Sequence, residues 1–234
     1  MIDPRNFEVL TFDCYGTLID WETGIFSALR PILLAHEKTL ADAELLALYG
    51  EFEAEAEVGP YRSYREVLAS VVQGFAGHLG FVSTPEENEA LACSVPRWQP
   101  WPDTVEALSR LHQHYRLVVI SNIDDDLFAQ TQQLLQTRFA HVITAQQAAC
   151  YKPGRVIFER ALAEIAIPTS RILHIGQSIY HDVIPAQALG LSTVWINRPS
   201  PRKNVGAVRP AQGVPDLELK GMQALADYLL AERA

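Results

Sequence analysis

The fold turns on the stretch VLTFDCYGTLID, residues 9–20. Val9 to Phe12 are apolar or β-branched, the composition of a strand covered on both faces. The run stops at Asp13, and Tyr15-Gly16-Thr17 follows as a turn. A carboxylate carried by a buried strand into a glycine turn fits a helix cap, a metal ligand or a nucleophile. The stretch alone leaves all three open.

Four more runs have the same character: RLVVIS (116–121), HVITA (141–145), RILHIG (171–176) and STVWIN (192–197). With EVLTF (8–12) they predict five strands. Between the last four lie helical patterns, DDDLFAQTQQLLQTRF, KPGRVIFERALAEIA and DVIPAQALG. Phe158, Leu162 and Ile165 share one helical face, and Gly190 closes the third pattern. Strands alternating with helices specify an α/β fold with a doubly wound, Rossmann-like parallel sheet. Such sheets place their sites at the carboxyl ends of the strands.

Residues 20–97 contain no strand pattern. Val67, Leu68, Val71, Val72, Phe75 and Leu79 recur at helical spacing, and ADAELLALYGEFEAEAE predicts an amphipathic helix with an acidic face. This segment is expected to be an α-helical insertion, with residues 1–19 and 98–234 forming the core. WQPWPDTVEALSRLH re-enters the core with Pro102 and Asp103 at a helix start. Residues 198–216 are expected as a surface loop before a final helix over 217–232. Trp98 and Trp101 are read as hinge packing rather than substrate walls.

With 48% hydrophobic and 20% charged residues, the 234-residue chain is globular in composition. A net charge of -9 speaks against nucleic acid and against an anionic membrane surface as partners. No apolar run approaches the roughly 20 residues that span a bilayer. Three cysteines without a CxxC pair suggest neither a disulfide framework nor a zinc site. With MIDPRNFE unlike a signal peptide, a cytoplasmic location is expected.

Four strand ends carry polar groups: Asp13 with Thr17; Ser121-Asn122; Lys152 in YKPG; and Gln177, Ser178 and Asp182 in GQSIYHD. Four clusters at adjacent tips make one pocket with one cation and two carboxylates. Asp124-Asp125-Asp126 is read as acids at the positive end of a helix rather than a metal site. Cys14 should point away from the Asp13 side chain, because successive strand residues alternate faces.

The order DxYGT, SN, KP and GxSxxxD resembles the haloacid dehalogenase superfamily, with 20–97 in the place of that family's cap domain. Its phosphatases carry a second aspartate two residues after the nucleophile, where Tyr15 stands here. They also hold Mg²⁺ with an acid where this chain has Gln177. The DxYGT form is similar to the L-2-haloacid dehalogenase branch. That resemblance implies Asp13 as nucleophile on an sp³ carbon, forming an ester that water hydrolyses. It implies Thr17 and Ser121 orienting the carboxylate, Lys152 keeping it ionised, and Asp182 holding Lys152 or positioning water. Tyr15, Asn122, Gln177 and Ser178 would line the substrate pocket, with Asn122 donating toward the departing anion and no metal or cofactor required. The branch's cap arginine aligns with Gly50; Arg62 or Arg65 is the candidate to replace it, with a solvated helix face as the other reading of both. Its fourth-motif Ser and Asn become Gln177 and Ile179, and its Tyr after the lysine becomes Phe158. The elements DCYGTLIDWE, SNID and QSxYHD direct the expectation to fluoro- or chloroacetate-type acids as substrates. Ring opening of a strained cyclic amino acid such as L-azetidine-2-carboxylate is the alternative. A Mg²⁺-dependent phosphatase and a non-catalytic binding protein are weaker ones. A homodimer is what the family implies.

Overall fold

A computed structural model describes residues 2–198, 207 and 211–231. Six parallel strands form one sheet in the order β3-β2-β1-β4-β5-β6. They are β1 (Val9–Phe12), β2 (Arg116–Ser121), β3 (His141–Thr144), β4 (Ile172–Gly176), β5 (Ser192–Ile196) and β6 (Leu217–Leu219). The strand order reverses at β1, which lies between β2 and β4 in register Phe12↔Val119 and Phe12↔Ile175. This switch point opens a crevice at the carboxyl ends of these strands.

Strand alternation sorts the core onto two faces. Leu10, Phe12, Leu117, Val119, Leu173 and Ile175 join one hydrophobic cluster, whereas Val9, Val118, Ile120, Ile143 and Ile172 join another. The cluster on the Leu10 face runs on into four helices that follow β1: α1 (Trp21–Ala35), α2 (Asp42–Ala56), α3 (Tyr64–Leu79) and α4 (Pro85–Ser94). Two of them start at sequence-readable capping boxes, Ser63 with Glu66 and Thr84 with Glu87, each a stabilisation of about 1 kcal/mol. The chain leaves and re-enters the sheet side by side. Asp20 N–H donates to Gln99 O at 2.8 Å and Trp101 N–H to Leu18 O at 3.0 Å.

The remaining helices are α5 (Thr104–His112), α6 (Asp125–Leu135), the single turn α7 (Ala145–Ala148), α8 (Arg155–Ile165), α9 (Ile184–Ala188) and α10 (Met222–Leu230). One expectation requires correction. Residues 217–219 are a sixth strand rather than the start of the final helix, because Leu217 and Leu219 pair with Val194 and Ile196. The acids placed at the starts of α5 and α6 do not cap their own helices. Asp103 accepts from Met222 N–H at 2.8 Å and Gln223 N–H at 3.2 Å, capping α10. Asp124 accepts from Tyr64 N–H at 2.9 Å and Arg65 N–H at 3.0 Å, capping α3. With Ser63 serving Glu66 N–H, the first three orphan donors of α3 are all satisfied. Asp124 thereby joins the β2 tip to the helices that follow β1. The expected surface loop 198–216 lies mostly outside the described residues.

Candidate active site

Asp13 leaves the end of β1, its N–H donating to Ile175 O at 2.9 Å. The Gly16 turn needs a glycine, with φ of +95°, and a Cβ there would lie 2.0 Å from Gln177 Oε1. This turn brings Thr17 back over the Asp13 carboxylate, and Thr17 Oγ1 donates to Oδ2 at 2.6 Å. An ionised carboxylate only accepts, so Thr17 is the donor there, and the same Oγ1 accepts from Gln177 N–H at 2.8 Å. Lys152 Nζ donates to Asp13 Oδ1 at 2.8 Å and to Asp182 Oδ1 at 2.7 Å. All three residues are buried. Burial opposes charge on the ammonium, but the two carboxylates outweigh it and raise the Lys152 pKa above the ordinary lysine value. Burial pushes the Asp13 carboxyl up, with Lys152 and Thr17 pulling the other way. Burial also works against Asp182, yet Lys152 and His174 together hold its carboxyl below the usual carboxylate range.

The partners of this triad hold it in place. Asn122 clamps the Lys152 backbone, Oδ1 accepting from Lys152 N–H at 2.7 Å and Nδ2 donating to Lys152 O at 3.1 Å. One Nδ2 proton is spent in this clamp and the other remains, so Asn122 keeps a donor at the cavity it lines. Ser178 opens the helical turn 179–183 by accepting from His181 N–H at 2.9 Å, so Asp182 is not that turn's cap. Asp182 instead accepts from Ser178 N–H at 3.2 Å. Behind it, His174 Nε2 lies 3.4 Å from Asp182 Oδ1, and His174 Nδ1 lies 2.9 Å from Thr11 Oγ1. This polar pair was unread in the sequence. Its signal is the register Thr11↔His174, two polar residues facing each other across otherwise apolar strands.

The triad lies in a small cavity of about 50 Å³, which also reaches Tyr15, Trp21, Ser121, Asn122 and Gln177. Tyr15 OH is bonded to Thr131 Oγ1 at 2.9 Å, and its ring meets Trp98 edge-on. Trp98 and Trp101 are not among the residues that line this cavity. Buried Ser121 Oγ, Trp21 Nε1 and Gln177 Oε1 have no hydrogen-bond partner among the described residues. Cys14 is buried within the Leu10-face core and its thiol is pushed up by burial, which removes it as a nucleophile.

Arg62 does not reach the cavity. Its side chain is exposed and donates to Ala56 O at 2.7 Å and Ser70 Oγ at 3.3 Å, which corrects its expected contact with substrate. Arg65 pairs with Asp126. An arginine at Gly50 would not fit either, since a Cβ there would lie 2.5 Å from Ala207 O. The missed residues are Glu53 and Glu57 of the acidic helix, which the fold turns inward to line the cavity with Tyr64. Glu53 Oε1 accepts from Tyr64 OH at 2.7 Å and Tyr49 OH at 3.1 Å. Burial pushes Glu53 up to about 7.

Sheet, switch point and strand-tip polar cluster together define a doubly wound α/β core with its polar groups gathered at the strand ends. The chain belongs to the haloacid dehalogenase-like hydrolase family, whose model matches residues 7–190. Haloacetate dehalogenase H-2 of Moraxella sp. (strain B) is 24% identical over 205 residues, covering 83% of this chain and 87% of that protein. An (S)-2-haloacid dehalogenase of Pseudomonas fluorescens is 21% identical, covering 97% and 98%. The crystal structure of a defluorinating L-2-haloacid dehalogenase superposes with a TM-score of 0.81 at 20% identity, covering 97% of this chain and 96% of that one. Among the described residues no helix is long and apolar enough to cross a membrane.

Proposed function

We propose that this protein is a metal-independent hydrolase in which Asp13 displaces a leaving group from an sp³ carbon of a short acid, most simply halide from a 2-haloacid. The observation that carries the reading is Lys152 Nζ between Asp13 and Asp182, at 2.8 and 2.7 Å, in a cavity of about 50 Å³. That space holds roughly four water-sized groups, which suits a two- or three-carbon acid. One Asp13 oxygen forms the new C–O bond while the carbon–halogen electron pair leaves as halide. Water then adds to the Asp13 ester carbonyl, and its collapse releases the hydroxy acid, a proton and the carboxylate. Lys152 opposes the negative charge of the tetrahedral intermediate, and Thr17 steers the carboxylate for in-line attack. Asp182 holds Lys152, and Tyr15 walls the pocket.

The donor set does not fit a magnesium ion. The two strand-tip carboxylates are both committed to Lys152, and Gln177 offers a neutral amide where a hard dication favours carboxylate oxygen. Among the described residues no group of three or more His, Cys, Asp and Glu is arranged to hold a metal. The same reading takes residues 20–97 as the cap that closes over the site.

The test is halide release from chloroacetate, fluoroacetate and L-2-chloropropionate, with EDTA or with Mg²⁺. L-Azetidine-2-carboxylate, whose ring C–N bond opens by the same displacement, and p-nitrophenyl phosphate are assayed alongside. Carbon displacement that persists in EDTA is expected. Activity confined to the phosphate ester and lost in EDTA overturns the reading.

A further inference from the structure

The charges around the cavity do not match a simple carboxylate substrate. Its lining holds four carboxyl groups, those of Asp13, Asp182, Glu53 and Glu57, and one lysine. That ammonium already bridges two of them, and among the described lining residues there is no arginine. His181 also lines the cavity, but a substrate anion would enter beside Glu53 and Glu57 with no lysine or arginine left to receive it. Burying a charge without a partner is costly.

The helix-side wall is organised for the opposite charge. Tyr49 and Tyr64 both donate to Glu53 Oε1, which favours the ionised carboxylate, while burial works the other way and holds Glu53 at about 7. Burial and then Glu53 itself push Glu57 well above the usual carboxylate range, so the first negative charge of the pair falls to Glu53. Both phenols are raised well above the ordinary tyrosine value, first by burial, so they stay protonated as donors. Glu57 stands where this cavity meets a wider one of about 290 Å³, lined also by Tyr61, Tyr151, Tyr180 and His181.

Independently of the acids, three buried polar atoms in the lining lack partners among the described residues. Trp21 Nε1–H is a donor only, Ser121 Oγ donates or accepts, and Gln177 Oε1 accepts. Unsatisfied buried groups are rare unless a ligand completes them. Two neutral donors suit a carboxylate, while Gln177 Oε1 adds an acceptor to the two glutamates.

We propose that Glu53 and Glu57 form a receptor for a protonated amine, so that the substrate of this site is a short zwitterionic amino acid carrying its leaving group, with Trp21 and Ser121 taking its carboxylate. The proposal rests on Asp13 as the carbon-directed nucleophile. For a haloamino acid the balance is unchanged: the Asp13 oxygen bonds carbon, halide leaves with its electron pair, and the ammonium remains on the product.

The test separates binding from turnover. Calorimetric titration of the full chain at about pH 8, where Glu53 is mostly ionised, compares L-serine with D-lactate. These are hydroxyl compounds differing in charge, and neither reacts. L-Serine is expected to bind at least about tenfold more tightly. In Glu53→Gln with Glu57→Gln the preference is expected to fall by about tenfold or more, with D-lactate binding not weakened. D-Lactate binding as tightly as L-serine overturns the proposal, as does undetectable L-serine binding. Equal weakening of both ligands in the double variant overturns it too, since that marks a structural role. Chloride release from 3-chloro-L-alanine and L-2-chloropropionate reports the nucleophile separately: a serine preference without turnover leaves the receptor standing and removes the Asp13 reading.

Discussion

On the sheet side of the cavity the two carboxylates share a buried ammonium, whereas on the helix side Glu53 has only two hydroxyls. The two walls also differ in their supports. Lys152 is clamped through its backbone by Asn122, and Asp13 is gripped by Thr17 and Lys152 on its two oxygens. Glu53 and Glu57 project from a helix that follows the β1 turn in the chain and belongs to a different layer. On the proposed reading the contrast separates two tasks: the sheet supplies reaction chemistry at fixed geometry, and the helical layer sets which charge is welcome beside it.

The largest break in this comparison is Asp13→Asn, which keeps shape but removes the nucleophile. Turnover is expected to fall by at least ~10,000-fold with the far-ultraviolet circular dichroism unchanged. Lys152→Met attacks the same wall through charge, leaving Asp13 and Asp182 buried without a cation. A loss of about 3–5 kcal/mol in urea unfolding is expected, together with loss of activity. On the helix side the sign reverses. Glu53 is held at about 7, above its ordinary 4.5, so between these values the folded protein keeps a proton that the unfolded chain has lost. The stability gained this way is fully present below 4.5 and is gone as pH rises through 7. Glu53→Gln does not titrate, so its melting temperature relative to the parent is expected to improve by a few degrees from about pH 5 to about pH 8. The smallest effect tests the tie between the walls. Asp124→Ala removes the side chain that caps α3, and a loss of about 1–2 kcal/mol in urea unfolding is expected.

Much of the sheet side is legible in the sequence, because each functional group follows an apolar run at a strand tip. Asp13, Ser121, Lys152 and Asp182 are placed by that pattern alone, and parallel order brings them together. The helix side is not legible in the same way. Glu53 and Glu57 sit among Glu44, Glu51 and Glu55 in one acidic segment, and nothing local distinguishes an inward glutamate from a solvated one. Their orientation is fixed by Tyr64, eleven residues beyond Glu53, and by the docking of α2 against α3. Asp103 and Asp124 illustrate the same limit. Their positions mark helix starts, but tertiary contacts lend their carboxylates to α10 and α3. The strand β6 escaped because three residues carry no periodicity, and pairing with β5 alone defines it.

The central claim is that Asp13 forms a covalent ester with substrate carbon. A single turnover in ¹⁸O-water, with enzyme in excess over a substrate found active in the release assay, tests it directly by mass spectrometry of the Asp13 peptide. The account predicts that ¹⁸O enters the Asp13 carboxylate while the first-turnover product carries ordinary oxygen. Heavy oxygen in the product, with Asp13 unlabelled, would mean that water attacks the substrate directly and would contradict it.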